Sequence, residues 1–133
     1  MSNNAFEDEN FLITLRDEYI IDIFIKDFKE LEKEDIVKMQ NWVSKNTTQK
    51  FLFNLAEFGN GSNATREARE YASSKEGNML TVGTALVVKN LAQQLIMDYY
   101  IKFNSPIYPT HVFYRKEKAL KWIIKQREAN LEE

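Results

Sequence analysis

Phe11, Ile13 and Leu15 alternate with Leu12 and Thr14, and after Asp17 the run Tyr19–Ile25 alternates again. A period of two over runs this short predicts two strands joined by a tight turn, an opening hairpin. From Lys26 to Lys45 the period lengthens: Ile36, Met39, Trp42 and Val43 share one face, and Lys33, Glu34, Lys38 and Asn41 lie elsewhere, as on an amphipathic helix. Gln49–Ala56 then carries Phe51, Leu52, Phe53 and Leu55 in a nearly unbroken apolar run, the pattern of a central strand buried on both faces, with Asn54 its one polar break. A helix over Ala64–Ser74 would turn Ala64, Ala68, Tyr71 and Ala72 inward, and such small side chains predict a helix lying tight on the sheet. Gly77, in Lys75–Asn78, is expected to stop it in the left-handed conformation of a helix C-cap. A strand over Thr81–Lys89, a helix over Asn90–Phe103, a strand over Tyr108–Phe113 and a closing helix with Ala119, Leu120, Trp122 and Ile123 complete the chain. The order β-β-α-β-α-β-α-β-α predicts an α/β fold, a single mixed, mostly parallel five-stranded sheet with four helices.

At 133 residues, 44% of them hydrophobic and 13% aromatic, the chain is expected to form one domain over 1–133, with its ends, about 1–8 and 127–133, frayed. A formal net charge of -2 argues against broad nucleic-acid binding. Without cysteine there is no disulfide or thiol chemistry, and a lone histidine, His111, leaves zinc without its usual ligand set. The polar, acidic start has neither the basic nor the apolar region of a secretory signal, and no apolar run is long enough to span a bilayer, so a cytoplasmic protein without stable membrane insertion is expected.

Thr84-Ala85-Leu86-Val87-Val88 before the third helix, and Phe113 followed by Ala119-Leu120-Lys121-Trp122-Ile123, carry a family likeness. With this order of elements, the chain resembles the SpoIIAA-like, or STAS-like, small bacterial proteins, in an uncharacterised subgroup marked by Arg66-Glu67-Ala68-Arg69, Val88-Lys89-Asn90-Leu91-Ala92-Gln93 and Ile101-Lys102-Phe103-Asn104. The resemblance implies a mostly parallel sheet and regulation by protein contact rather than catalysis. In anti-sigma-factor antagonists of this fold a serine at the start of the second helix is phosphorylated, and the corresponding position is Ser62. The chain departs from the pattern there, because the usual Asp-Ser pair with a following glycine is absent and Asn63 and Ala64 follow Ser62. Arg115 and Lys116 also stand where relatives often place acids.

Independently of family, the loop Glu57–Asn63 is the first candidate site, because ligands of open α/β sheets bind beyond the carboxyl ends of strands, at helix N-termini. Gly59-Asn60-Gly61-Ser62-Asn63-Ala64 matches G-x-G-x-x-A, and Lys89 would add positive charge at the same edge where a dinucleotide site would want an acid. Gly59, Gly61, Ser62, Asn63 and Lys89 are therefore candidates for a small anion or a phosphate on Ser62, against a plain turn with Ser62 or Asn63 as N-cap. His111 lacks a nucleophile tied to it by motif, and Glu57, Glu67, Glu70 and Asp98 read as solvated charge, so no catalytic residue or cofactor is assigned. Arg115, Lys116, Lys118, Lys121, Lys125 and Arg127 are diluted by Glu117 and Glu128 and read as a solvated face.

The helix Asn90–Phe103 is apolar on more than one face, which predicts a further partner for it. A homodimer contact is the first expectation, with Ala68, Tyr71, Met97 and Tyr100 as interface residues, and a lipophilic pocket is the second. The sequence thus favours a non-catalytic regulatory or protein-interaction module with an unidentified protein partner. A small lipophilic-ligand or lipid-binding carrier is the runner-up, and an enzyme comes third.

Overall fold

The alternating runs near the N-terminus pair as a hairpin, and this hairpin seeds the sheet. A computed structural model describes residues 4–49 and 51–131. In it β2 (Phe11–Leu15) pairs antiparallel with β3 (Ile20–Ile25), which pairs in parallel with β5 (Leu52–Phe58). Two further parallel neighbours follow, β7 (Thr81–Val87) and β8 (Thr110–Phe113). The mixed, mostly parallel sheet of the α/β expectation is present, but with six strands rather than five. The extra one is β1 (Ala5–Glu7), antiparallel to β2 at the edge, so the expected fraying over 1–8 fails for the described part. Three residues are too short to show a period, and the strand is held from outside itself: the Phe6 ring packs on Phe11 at 5.4 Å and on Trp42 at 6.3 Å.

The helix expected over Lys26–Lys45 is shorter, α1 (Lys33–Asn46). Before it the chain turns through Phe28 at a φ of 60° and forms β4 (Glu30–Leu31), which pairs in parallel with β6 (Asn63–Ala64) in a small second sheet. The buried Asp35 carboxylate sets the helix start, accepting from the Glu32 N–H at 2.8 Å and from the Asn10 amide at 3.0 Å. The second helix, α2 (Arg66–Ser73), is capped by Thr65, whose Oγ1 accepts from the Ala68 N–H at 3.1 Å, and not by Ser62 or Asn63. Thr65→Ala should cost about 1 kcal/mol of unfolding free energy in a denaturant titration; an unchanged midpoint would show that the cap contributes nothing.

Gly77 sits in a 3-10 turn (Glu76–Asn78) and does not use positive φ. A Cβ there would lie 2.0 Å from the Tyr71 carbonyl oxygen, so close backbone approach, not a left-handed cap, requires the glycine. The third and fourth helices are α3 (Leu91–Asn104) and α4 (Lys116–Leu131), the latter running through much of the C-terminal stretch expected to fray.

Strand order β1-β2-β3-β5-β7-β8 advances in one direction from β3 onward. Right-handed crossovers winding one way put their helices on the same face. One core accordingly joins Met39 and Val43 of α1, Ala68 of α2 and Met97 and Tyr100 of α3 to Ile13, Ile21, Ala56 and Leu86 of the sheet. On the opposite face α4 alone, through Ala119 and Ile123, covers Phe53, Leu55, Ala85 and Val87.

Candidate functional site

The loop after β5 is built from its own polar groups. The backbone N–H groups of Gly59, Ser62, Asn63 and Thr65 donate to the carbonyls of Ile25, Gly59, Lys29 and Leu31. Those of Asn60 and Ala64 donate to Asp27 Oδ1 and Asn63 Oδ1. Gly61 adopts φ +66°, and a Cβ on Gly59 would lie 2.4 Å from Asp27 Oδ1. Both glycines are thus explained by the turn, and the loop N–H groups of Gly59, Asn60, Ser62, Asn63 and Ala64 are spent within the protein. Ser62 is 2% exposed and its hydroxyl donates to the Gly59 carbonyl at 2.8 Å. Lys89 Nζ lies 3.3 Å from Glu57 Oε2, and Lys116 Nζ 3.7 Å from the other oxygen of that carboxylate.

Gln93 locks the loop. Its amide nitrogen donates to the Gly59 and Ser62 carbonyls at 2.9 and 3.0 Å, and its oxygen accepts from the Lys89 N–H at 2.8 Å. In the sequence it is an ordinary polar position three residues after the Asn90 N-cap.

The interface residues expected from the sequence are mostly interior. Ala68, Met97 and Tyr100 are buried in the helix-side core, and half-buried Tyr71 donates its hydroxyl to Gln40 Oε1 at 2.8 Å. The expectation erred by a step around α3, whose solvent face is Leu91, Leu95, Tyr99 and Phe103, exposed by 62, 58, 58 and 61%. His111 is exposed on β8 with its ring 5.2 Å from that of Trp122. Among the described residues no group of three His, Asp or Glu side chains is placed to hold a metal ion, and no helix is long and apolar enough to cross a membrane.

What the structure adds is a cavity of about 130 Å³ between the sheet and the three crossover helices. Its cause is small residues facing small residues. The middle of the sheet offers Ala56 and Thr84, and α2 and its approach offer Ala64, Ala68 and Ala72. The expected tight seating of α2 on the strands does not occur, because α2 packs mainly on α1, α3 and the 3-10 turn. Longer side chains, Ile23, Met39, Leu86 and Met97 among them, complete an apolar wall.

Gln40, Arg69, Asn78 and Thr81 bring polar groups to the rim of this space, and three more form a row across the sheet. Register places Asn54 beside Thr84 and Thr84 beside Thr110, and the Asn54 amide donates to Thr84 Oγ1 at 3.3 Å. All three line the cavity, as does Tyr100. Tyr100 is 6% exposed, and its hydroxyl has no hydrogen-bond partner among the described residues. Burial pushes its pKa up to about 12. A raised tyrosine pKa contributes stability fully present below the unfolded value, near 10, and lost as pH rises toward 12. Tyr100→Phe should flatten that alkaline loss relative to the wild type in denaturant titrations at successive pH values; parallel curves would mean the phenol is not desolvated.

A family model described as a domain of unknown function, DUF7793, matches residues 13–127, from within β2 to late in α4. The chain belongs to the DUF7793 family. Among solved structures, this DUF7793 domain is similar to an uncharacterized protein of the DUF3478 family with a SpoIIAA-like fold from Shewanella loihica PV-4. The TM-score is 0.55 over 89% of each chain, at 12% identity. That likeness shows the fold, which is SpoIIAA-like as the sequence resemblance implied. No curated protein matches the DUF7793 chain.

Proposed function

We propose that the chain is a cytoplasmic, non-catalytic binding module that holds a compact apolar molecule in the cavity over its sheet, as a small lipophilic-ligand or carrier domain does. The observation that carries this reading is the cavity itself, about 130 Å³ walled by apolar side chains in a domain of 133 residues. Interiors are normally packed with few voids larger than a water molecule, whereas an apolar space of roughly 150 Å³ takes up benzene. Native mass spectrometry of the gently isolated protein is expected to show a small apolar adduct. A clean mass, with no uptake of an added aromatic hydrocarbon, would remove the reading.

A second reading, self-association through α3, is favoured by a different observation. Leu91, Leu95, Tyr99 and Phe103 recur every fourth residue and form one exposed ridge. Two such ridges pack into one another's grooves across a two-fold axis. With side chains of this size about 60% exposed, the ridge alone offers roughly 450 Å² per copy, about 900 Å² in a dimer, which is short of the ~1,000 Å² a specific interface clears and so needs its flanks to contribute. The proposed occupant is a second copy of the chain. Leu95→Glu should turn a dimer into a monomer in analytical ultracentrifugation, and a wild-type monomer at all concentrations would end this reading. The phospho-switched role implied by the family resemblance draws no support from Ser62, whose hydroxyl is buried and bonded.

A further inference from the structure

Tyr100 lies about 15 Å along α3 from Asn90, at ~1.5 Å per residue. Thr84 lies about 13 Å back along β7 from Val88, at ~3.3 Å per residue. Since α3 starts where β7 ends and runs back over the sheet, the Tyr100 ring and the Asn54, Thr84, Thr110 row occupy the same level of the cavity. An apolar cavity has no need of such a level. The Tyr100 ring is buried, but its hydroxyl oxygen stays accessible and bonds to no described group, so it is free to meet a ligand where phenylalanine would offer nothing.

We infer that this level recognises the polar end of the ligand, an oxygen that accepts hydrogen bonds from Tyr100 and Thr84, carried on a compact apolar body. The inference rests on the ligand-binding reading above and adds the chemistry of the ligand to it. Thr84 Oγ1 already accepts from the Asn54 amide, which leaves its own hydrogen free to donate. Tyr100 stays protonated at neutral pH and also donates. Thr110 donates to the Tyr108 carbonyl at 3.0 Å, so it supplies polarity but no free hydrogen. Charge narrows the class further. Among the described residues lining the cavity there is no carboxylate, and the one cation is Arg69, which donates to the Ala64 carbonyl and has no ion-pair partner. The ligand is therefore a neutral carbonyl compound or an apolar carboxylate, and not an amine.

The test is calorimetric titration of the full chain with three probes of one shape, ethylbenzene, acetophenone and 1-phenylethylammonium, on the wild type, Tyr100→Phe and Thr84→Val. Acetophenone affinity should fall about three- to tenfold in each variant while ethylbenzene affinity holds, and the ammonium should not bind. Because the Tyr100 hydroxyl bonds to no other described group, Tyr100→Phe keeps the fold and reads recognition alone. Equal affinities for acetophenone across all three proteins, or uptake of the ammonium as strong as that of the ketone, would overturn the inference while leaving the cavity a ligand site. Failure of both neutral probes on the wild type would overturn the ligand-binding reading, and this inference with it.

Discussion

Gln93→Leu should destabilise the protein by about 3–4 kcal/mol, a fall in midpoint of roughly 10 °C for a domain of this size. Leucine keeps the volume but removes every hydrogen bond that ties the start of α3 to the β5 loop. The Gly59 carbonyl retains the Ser62 N–H and hydroxyl as donors. The Ser62 carbonyl and the Lys89 N–H, in contrast, lose the partner that Gln93 gives them. The buried Ser62 carbonyl left without that donor costs about 1–3 kcal/mol and the part-buried Lys89 N–H adds to it, which is why the loss exceeds that of an ordinary surface glutamine. Thermal and urea unfolding would check it, and a change under 1 kcal/mol would mean that water satisfies those groups and the loop is not closed by this side chain.

Ala56→Leu should have the opposite sign of a normal core enlargement. In a packed core an added isobutyl group costs about 1–3 kcal/mol through strain. Here the residue faces empty space, and filling even a third of it returns about 1 kcal/mol at ~24 cal/mol per Å³. The variant is expected to be slightly more stable than the wild type and to lose ethylbenzene binding entirely. Destabilisation with binding intact would place the new side chain in protein rather than in a cavity. Gain of stability with loss of binding is the behaviour expected where a natural void is kept for an occupant.

The physical reasons for what the sequence revealed, and what it hid, lie in range. Thr81–Val87, α3 and β8 were legible because each carries its own period, and the run through Leu52, Phe53 and Leu55 announced a strand covered on both sides. β1, β4 and β6 are two or three residues long, too short to show a period, and β4 and β6 exist only by pairing with each other across more than thirty residues. The inward face of α3 was misjudged for a related reason. With apolar residues nearly all round the helix, the sheet, not the sequence, decides that Met97 and Tyr100 turn in and Leu95 and Tyr99 turn out.

The glycine loop had the composition of an anion site but uses it for its own closure, with Gln93 supplying what a ligand would have supplied. For the cavity, half the signal was visible. Asn54 already stood out as the polar break in an apolar strand, and the alanines of α2 were conspicuous. Only strand register brings Thr84 and Thr110 beside Asn54, and only the offset of α2 from the sheet turns small side chains into space rather than close contact.

The most direct test of the cavity as a ligand site is a methyl and amide NMR titration of the wild-type protein with ethylbenzene. Saturable shifts confined to groups such as Ile23, Leu86 and Met97, and absent in Ala56→Leu, are the predicted result. Shifts spread over the exposed ridge of Leu91, Leu95, Tyr99 and Phe103, or none at all, would contradict it.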